Sequence, residues 1–122
     1  MTIEAAPHRE ALVVRMFQAI DECEWERLPE LFAEDCVYER PGYEPIVGIS
    51  NLLHFYRHER IIGRGRHDLT HVVQGADVCA CWGTFRGFSR TQEPLEEQFA
   101  DGYELADGRI RSRKTFFFRP AI

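Results

Sequence analysis

The chain has 122 residues, of which 44% are hydrophobic and 12% aromatic, and its formal net charge is −5. This length suits one domain with its own core and is too short for two. The negative charge and the lack of a basic stripe argue against nucleic acid as a partner. No apolar run reaches the length of a membrane span and no signal-peptide pattern opens the chain, so we expect no membrane partner and a cytoplasmic location.

The first half of the chain predicts three helices and one strand. The first helix covers about residues 7–21, with apolar residues repeating at three and four. A shorter second helix covers about residues 25–32, where Pro29 marks a break or a first turn. Residues 35–40 alternate like a strand and lead into a loop or a short edge hairpin. The third helix begins at Gly48 and ends near the glycines of residues 62–65.

In the second half the period changes to two, which predicts four strands at residues 67–73, 78–85, 95–105 and 110–118. Their connections, at residues 75–77, 87–94 and 107–108, suit antiparallel hairpins. Helices first and strands later, within one short domain, predict an α+β fold with the helices packed on one face of the sheet.

The strand predicted at residues 95–105 carries the first candidate catalytic residue. Glu97, Phe99, Asp101, Tyr103 and Leu105 fall at alternate positions and therefore share one face. A carboxylate on a buried aromatic face is unfavourable unless it is paired, kept protonated or exposed to a pocket. Asp101 is therefore either a functional acid or a residue that holds an arginine or the backbone in place.

The four cysteines and the histidine pair His54 and His58 suggest no metal site. Cys23, Cys36, Cys79 and Cys81 contain no C-x-x-C pair, so we expect reduced thiols packed as small hydrophobes. His54 and His58 lie four apart on the third helix, a spacing compatible with a metal, but no third ligand is evident. We predict neither a metal nor any other cofactor.

Several segments, in order, resemble one family. Residues 31–38, LFAEDCVY, resemble the end of its second helix and its first strand, and Gly48-Ile49 followed by Leu52 and Tyr56 resembles the start of its third helix. Residues 75–78, 99–101 and 107–110 resemble its hairpins. On these segments the whole chain, residues 1–122, resembles a single SnoaL-like domain of the nuclear transport factor 2-like, ketosteroid isomerase-like superfamily.

The resemblance implies a cone-shaped, curved mixed β-sheet wrapped around about three N-terminal helices and enclosing an apolar pocket. Many members are homodimers, so we expect a homodimer here. The fold serves isomerases, cyclases, epoxide hydrolases and non-catalytic binding modules, so the resemblance does not fix the reaction.

The resemblance also suggests site residues. Ketosteroid isomerases carry an acidic base where this chain has Arg40, which argues against steroid-type isomerisation. SnoaL-like cyclases use an aspartate base with a histidine nearby, and Asp101 and His71 are the best matches. Either His67 or His71 could instead be structural. The epoxide hydrolases need an acid near the end of the last strand, which residues 113–119 lack. The expected substrate-binding residues are Arg40, Trp82, Tyr103, Phe99, Tyr38 and Tyr56.

These observations lead to one hypothesis and one alternative. The hypothesis is a cofactor-independent cyclase or isomerase that acts on a hydrophobic, carbonyl-bearing small molecule, with Asp101 as the base. The alternative is a non-catalytic pocket protein that binds a ligand or a partner. Arg40 in place of the acid favours the alternative, and Asp101 together with His71 favours the enzyme.

Overall fold

A computed structural model describes residues 11–119 of the chain. Its helices are α1 (Leu12–Asp21), α2 (Leu28–Leu31), which follows a 3-10 turn at Trp25–Arg27, and α3 (Ile49–His54), which continues as a wide π turn over Phe55–Glu59. Its strands are β1 (Phe32–Glu39), β2 (Ile46–Val47), β3 (Ile62–Gln74), β4 (Val78–Ser89), β5 (Pro94–Ala106) and β6 (Arg109–Phe117).

The six strands form one sheet in the order β2-β1-β6-β5-β4-β3. Strands β3 to β6 form an antiparallel meander, whereas β1 pairs with β6 in parallel, so the sheet is mixed. The helices precede or interrupt the first strands and pack on one face of this sheet. The predicted α+β class is therefore confirmed.

The core lies between the helices and the face of the sheet that they cover. Helix α1 buries one side because its apolar residues recur at three and four, which places them on one stripe. Leu52 of α3 and Phe55 of the π turn belong to the same core, together with buried strand residues such as Phe32 and Ile110. The buried residues of α1 are Val13, Met16, Phe17, Ala19 and Ile20.

Several element boundaries differ from the sequence prediction. Strand β1 begins at Phe32, which was predicted to be helical, because α2 has only one turn. Strand β3 begins at Ile62 and runs through the glycines that were expected to end the helix and start a loop. The predicted first turn of the first helix, residues 7–10, lies outside the described residues.

Two β-bulges change which residues face the helices. In β3 the register shifts between Leu69 and His71, and beyond this point Val72 is buried while Val73 is exposed. In β6 a shift lies opposite Glu104 and Leu105. An extra residue in one strand of a pair reverses the alternation beyond it. This reversal decides the placement of several candidate residues described below.

The cysteines are free thiols, as predicted, and three of them are buried. Cys23 is the exception because it lies at the surface, just beyond the end of α1. Within the described range of 11–119, no helix has the length and apolar character needed to cross a membrane.

Candidate functional site

A cavity opens between the helices and the helix-covered face of the sheet. The space between its lining atoms is about 410 Å³, a figure that includes open solvent, and only about 30 Å³ of it is open to the centre of a water molecule. Most of its wall is aromatic or aliphatic, but three arginines and a histidine also reach it, so it is more cationic than the apolar pocket implied by the resemblance. The lining residues are Ile20, Tyr38, Arg40, Tyr56, Arg60, Ile62, His67, Phe85, Phe99, Arg113, Thr115 and Phe117.

Asp101 lies behind this wall and not on it. Its side chain has no exposure to solvent, and its carboxylate accepts three hydrogen bonds. Tyr103 Oη donates to Oδ2 over 2.6 Å, Arg113 Nε donates to Oδ2 over 3.0 Å, and Thr115 Oγ1 donates to Oδ1 over 2.7 Å. The strand register explains this arrangement, because Thr115 lies directly opposite Asp101 on β6. Asp101 therefore holds an arginine in place, which was the alternative interpretation of this residue.

Arg113 connects the buried carboxylate to the cavity. Its Nη1 donates to Tyr56 Oη over 2.9 Å, and its guanidinium lies 4.4 Å from the centre of the Tyr38 ring. Burial alone would lower the pKa of Arg113, but Asp101 and the surrounding tyrosines hold that pKa well above its usual value. Arg113 is thus a cation at any working pH, and Asp101 balances its charge.

His67 and Asp21 form a second polar pair at the cavity. Asp21 is the last residue of α1, and its Oδ1 lies 2.6 Å from Nδ1 of His67. The other carboxylate oxygen of Asp21 accepts a hydrogen bond of 2.9 Å from the backbone N–H of His67. Two contacts to one carboxylate fix both the backbone and the ring, and leave Nε2 as the ring nitrogen open to another partner.

The surroundings of His67 keep its imidazole neutral near pH 7. The ring centroid lies 4.4 Å from that of Phe17 and 4.8 Å from that of Phe85. Burial lowers the pKa of His67, and the opposing effect of Asp21 does not outweigh it. A neutral ring that donates from Nδ1 to Asp21 carries a lone pair on Nε2, which is the state a general base requires.

Arg60 is a third charged group at the cavity, and it has no charged partner among residues 11–119. Only 4% of its surface is exposed. Its guanidinium carbon lies 5.2 Å from the centre of the Tyr56 ring and 5.7 Å from that of Trp25. Its Nε is buried without a hydrogen-bond partner, and burial lowers the pKa of its guanidinium.

The structure separates the predicted catalytic pair. His71 is exposed on the other face of the sheet, where its ring stacks on Trp82 with centroids 5.0 Å apart. The expectation that His71 and Trp82 lie beside Asp101 in the pocket is therefore wrong. The bulge after Leu69 is the reason, because it turns His67 towards the cavity and His71 away from it.

The other predicted binding residues are placed as follows. Arg40, Tyr38, Tyr56 and Phe99 line the cavity, and their role in substrate binding stays a prediction. Tyr103 is buried beside Asp101 and does not line it.

Sequence reasoning missed Asp21, Arg60 and Arg113. Alternation along the last strand from Arg109 and Arg111 predicts an exposed position for Arg113, but only 5% of its surface is exposed. Its spacing from Thr115 and Phe117, two and four residues on, was the signal that could have placed it inside. No comparable signal marks Asp21, which ends a helix and meets His67 only through the fold.

No metal centre is evident in the part of the chain that the structure describes, where no three His, Cys, Asp or Glu side chains are grouped to hold an ion. His54 and His58 are exposed, and Nε2 of His54 lies 3.2 Å from a carboxylate oxygen of Glu59.

On the outer face of the sheet Trp82 and Phe116 are 41% and 52% exposed. The homodimer implied by the resemblance remains a prediction.

Comparison with known proteins supports the fold. The family model described as a SnoaL-like domain matches residues 13–113, and no curated protein sequence matches the chain. A nuclear transport factor 2-like protein of unknown function from Burkholderia pseudomallei superposes with a TM-score of 0.79 at 16% identity, over 87% of each chain.

Two further solved structures are named for activities. IdmH from Streptomyces antibioticus, a candidate polyketide cyclase, has a TM-score of 0.73 at 20% identity and covers 88% of this chain and 89% of its own. An epoxide hydrolase of the LEH-like type from M. tuberculosis has a TM-score of 0.76 at 16% identity, with 87% of this chain and 79% of its own covered. At these identities the similarity establishes the fold alone.

Proposed function

The chain belongs to the SnoaL-like domain family, and from that premise we propose that its cavity binds a carbonyl-bearing small molecule and catalyses proton transfer on it, with His67 as the base. The observation that carries this proposal is the contact between His67 and Asp21 at the cavity wall. A neutral imidazole, oriented by a carboxylate and held in an aromatic setting, is suited to remove a proton from carbon.

The base is assigned to His67 and not to Asp101 for a geometric reason. Asp101 has no exposed surface and its oxygens already accept hydrogen bonds from Arg113, Tyr103 and Thr115. A substrate proton would have to displace one of these donors before it reached the carboxylate. Asp101 is therefore a positioning residue that holds Arg113 at the cavity wall.

The reaction follows from this arrangement. Nε2 of His67 takes a proton from the carbon next to the substrate carbonyl, and the electron pair of the C–H bond moves to the carbonyl oxygen as an enolate. The guanidinium groups of Arg40 and Arg113 line the same cavity and stabilise the negative charge that develops there. Where the enolate is conjugated with a C=C bond, return of the proton from Nε2 to the far carbon of that bond gives isomerisation. Where the enolate carbon attacks a second carbonyl of the same molecule, a C–C bond forms, the C=O π electrons become an alkoxide, and the alkoxide takes the proton from Nε2 to complete aldol cyclisation.

A non-catalytic binding module is the second candidate, and Arg40 is the observation that favours it. Arg40 stands where ketosteroid isomerases carry their acidic base, and it lines the cavity. A ligand could then be held by Arg40 and the aromatic wall without any proton transfer.

Exchange of carbon-bound hydrogen for deuterium tests the proposal without knowledge of the natural substrate. A panel of small ketones and 1,3-dicarbonyl compounds is incubated with the protein in heavy water, and loss of the α-proton signal is followed by NMR. We expect His67→Gln to slow exchange at least about 100-fold, and Asp21→Asn to slow it as well.

His71→Gln is the matched control, because it changes the same residue type at an exposed position away from the cavity. Its exchange rate should equal that of the wild-type chain. Full exchange activity in His67→Gln would contradict the assignment of the base. Absence of exchange with every compound, together with saturable binding of some of them, would favour the binding module.

A further inference from the structure

Arg60 is a buried arginine that lines the cavity and forms no ion pair with an acid of residues 11–119. At the surface, Arg27, Arg66, Arg86 and Arg119 each lie within 4 Å of a carboxylate. Arg113, which is buried, is paired with Asp101. Arg60 is also buried, yet no ion pair forms on it among the described residues, and its Nε lacks a hydrogen-bond partner.

A buried charge of this kind is unfavourable unless a counter-charge is supplied. Transfer of a guanidinium out of water is opposed by its lost solvation, and buried charges in proteins are normally paired. The rings of Tyr56 and Trp25 beside Arg60 attract the cation through their faces, but they carry no negative charge and cannot accept the Nε–H in the manner of a carboxylate oxygen.

The rest of the cavity increases this positive charge. Arg40 also lines it, whereas no Asp or Glu among residues 11–119 does so. Asp101 is hydrogen-bonded to Arg113, and Asp21 is hydrogen-bonded to His67, so these two carboxylates are already engaged. An uncharged ligand would leave the charge of Arg60 uncompensated.

From this arrangement we infer that the ligand of the cavity is a carboxylate-bearing small molecule whose carboxylate pairs with Arg60. A guanidinium presents parallel N–H groups that match the two oxygens of a carboxylate. The apolar side chains of the wall, such as Ile20 and Phe99, suit the hydrophobic body of such a molecule. The inference rests on the proposed function for the location of the ligand, but it does not depend on His67 or on any reaction.

Binding measurements on the full chain test the inference. The probes are two small aromatic acids, phenylacetate and 3-phenylpropanoate, and each is compared with its primary amide, which has nearly the same shape without the charge. Titration calorimetry at neutral pH should give dissociation constants at least about tenfold lower for the acids than for the amides, as expected for a charge-assisted bidentate contact.

Two variants separate the effect of Arg60 from that of overall charge. Arg60→Met keeps much of the side-chain volume and should abolish the preference for acid over amide. Arg66→Gln removes one positive charge from an exposed, paired arginine and should leave the preference unchanged. Equal binding of acids and amides by the wild-type chain, or an unchanged preference in Arg60→Met, would overturn the inference.

Thermal unfolding of the ligand-free protein provides an independent check. Because the charge of Arg60 is uncompensated in the empty cavity, Arg60→Met should unfold at the same temperature as the wild-type chain or higher. A clearly lower midpoint would show that Arg60 serves the fold, and would contradict the inference even if the variant bound no ligand.

The outcome for His67 stays separate from the outcome for Arg60. His67→Gln should retain the preference for acids, since its side chain has no part in the ion pair. Loss of deuterium exchange together with an intact acid preference would support both proposals. Loss of the preference in Arg60→Met, with deuterium exchange unaffected by His67→Gln, would leave the carboxylate site standing and remove only the proposed catalysis.

Discussion

Arg113 donates from Nε to Oδ2 of Asp101 over 3.0 Å, and both side chains are almost completely shut off from solvent. The two residues lie on neighbouring strands, diagonally across the β5–β6 pair. The hydroxyl groups of Tyr103 and Thr115 complete the shell of the carboxylate. This ion pair joins the folding of the sheet to the shape of the cavity, because the guanidinium that it holds forms part of the cavity wall.

Replacement of Asp101 by Asn should destabilise the protein strongly. The amide leaves the buried charge of Arg113 uncompensated, and one of its two polar ends cannot accept the hydrogen bonds made to the carboxylate. Loss of one partner of a buried ion pair typically lowers the free energy of unfolding by about 3–5 kcal/mol. Urea denaturation followed by circular dichroism measures the change.

Asp35→Asn is the control for this experiment, since Asp35 is exposed on β1. We expect its free energy of unfolding to stay within about 0.5 kcal/mol of the wild-type value. If Asp101→Asn were as stable as this control, the buried network would have no structural role.

The stability of the protein should depend on pH through His67. Its pKa in the folded chain is lowered by burial from the ordinary value of 6.5, against the opposing influence of Asp21 and with smaller contributions in the same direction from Arg113 and Arg60. Between the two pKa values the unfolded chain binds more protons than the folded one. The free energy of unfolding from this group is therefore fully present above about pH 6.5 and falls as the pH is lowered.

Urea denaturation at pH 7.5 and pH 5.5 measures this dependence. The loss of stability between the two pH values should be smaller in His67→Gln than in the wild-type chain, because the variant lacks the titrating group. His71→Gln serves as the comparison, since His71 is exposed, and it should lose as much stability as the wild-type chain. The same loss in all three proteins would exclude a buried neutral imidazole at position 67.

Strands β5, β3 and β6 show where the sequence predicts the buried face of a strand and where it does not. Alternation correctly placed Phe99, Asp101 and Tyr103 on the buried face of β5, which pairs with both neighbours through most of its length. It failed for His71 and Arg113, because each lies beyond a bulge that adds one residue to the strand. A bulge arises from pairing between distant segments, so alternation counted from the residues before it gives the wrong face for the residues beyond it.

The residues of the candidate site also divide into those that a local pattern identifies and those that it does not. The polar residues of a single strand, Asp101 among them, could be identified by their apolar neighbours. The contact between Asp21 and His67 joins positions 46 residues apart. Arg60 lies at the cavity because it directly follows the π turn at the end of α3. Such relationships depend on tertiary packing, which periodicity does not encode.

The close approach of β3 to β4 beside the bulge gives a prediction about Gly83. A Cβ at Gly83 would clash with the backbone carbonyl of Asp68 and lie 2.9 Å from Cα of Leu69, next to the bulge. Backbone atoms cannot move aside without disturbing the strand pair. Gly83→Ala should therefore lower the free energy of unfolding by about 1–3 kcal/mol, as overpacking does elsewhere.

Gly102→Ala provides the matched control on the neighbouring strand, because a Cβ there meets no atom within 4 Å. Its free energy of unfolding should lie within about 0.5 kcal/mol of the wild-type value. Thermal and urea denaturation of the two variants compare them directly. Equal stability would show that β3 can move away from β4 at this point.

The thiols should divide into one reactive and three protected groups. Burial raises the pKa of Cys36 and Cys79 to about 11 and that of Cys81 to about 12, so these side chains hold almost no thiolate near pH 8, and reagents cannot reach them. Cys23 is exposed.

A thiol-disulfide reagent such as DTNB should react quickly with one equivalent per chain in the native protein, and with the other three only after unfolding in guanidinium. Cys23→Ser should remove the fast phase and leave the slow one, whereas two or more fast equivalents in the wild-type protein would mean that the sheet opens readily around Cys36 or Cys79.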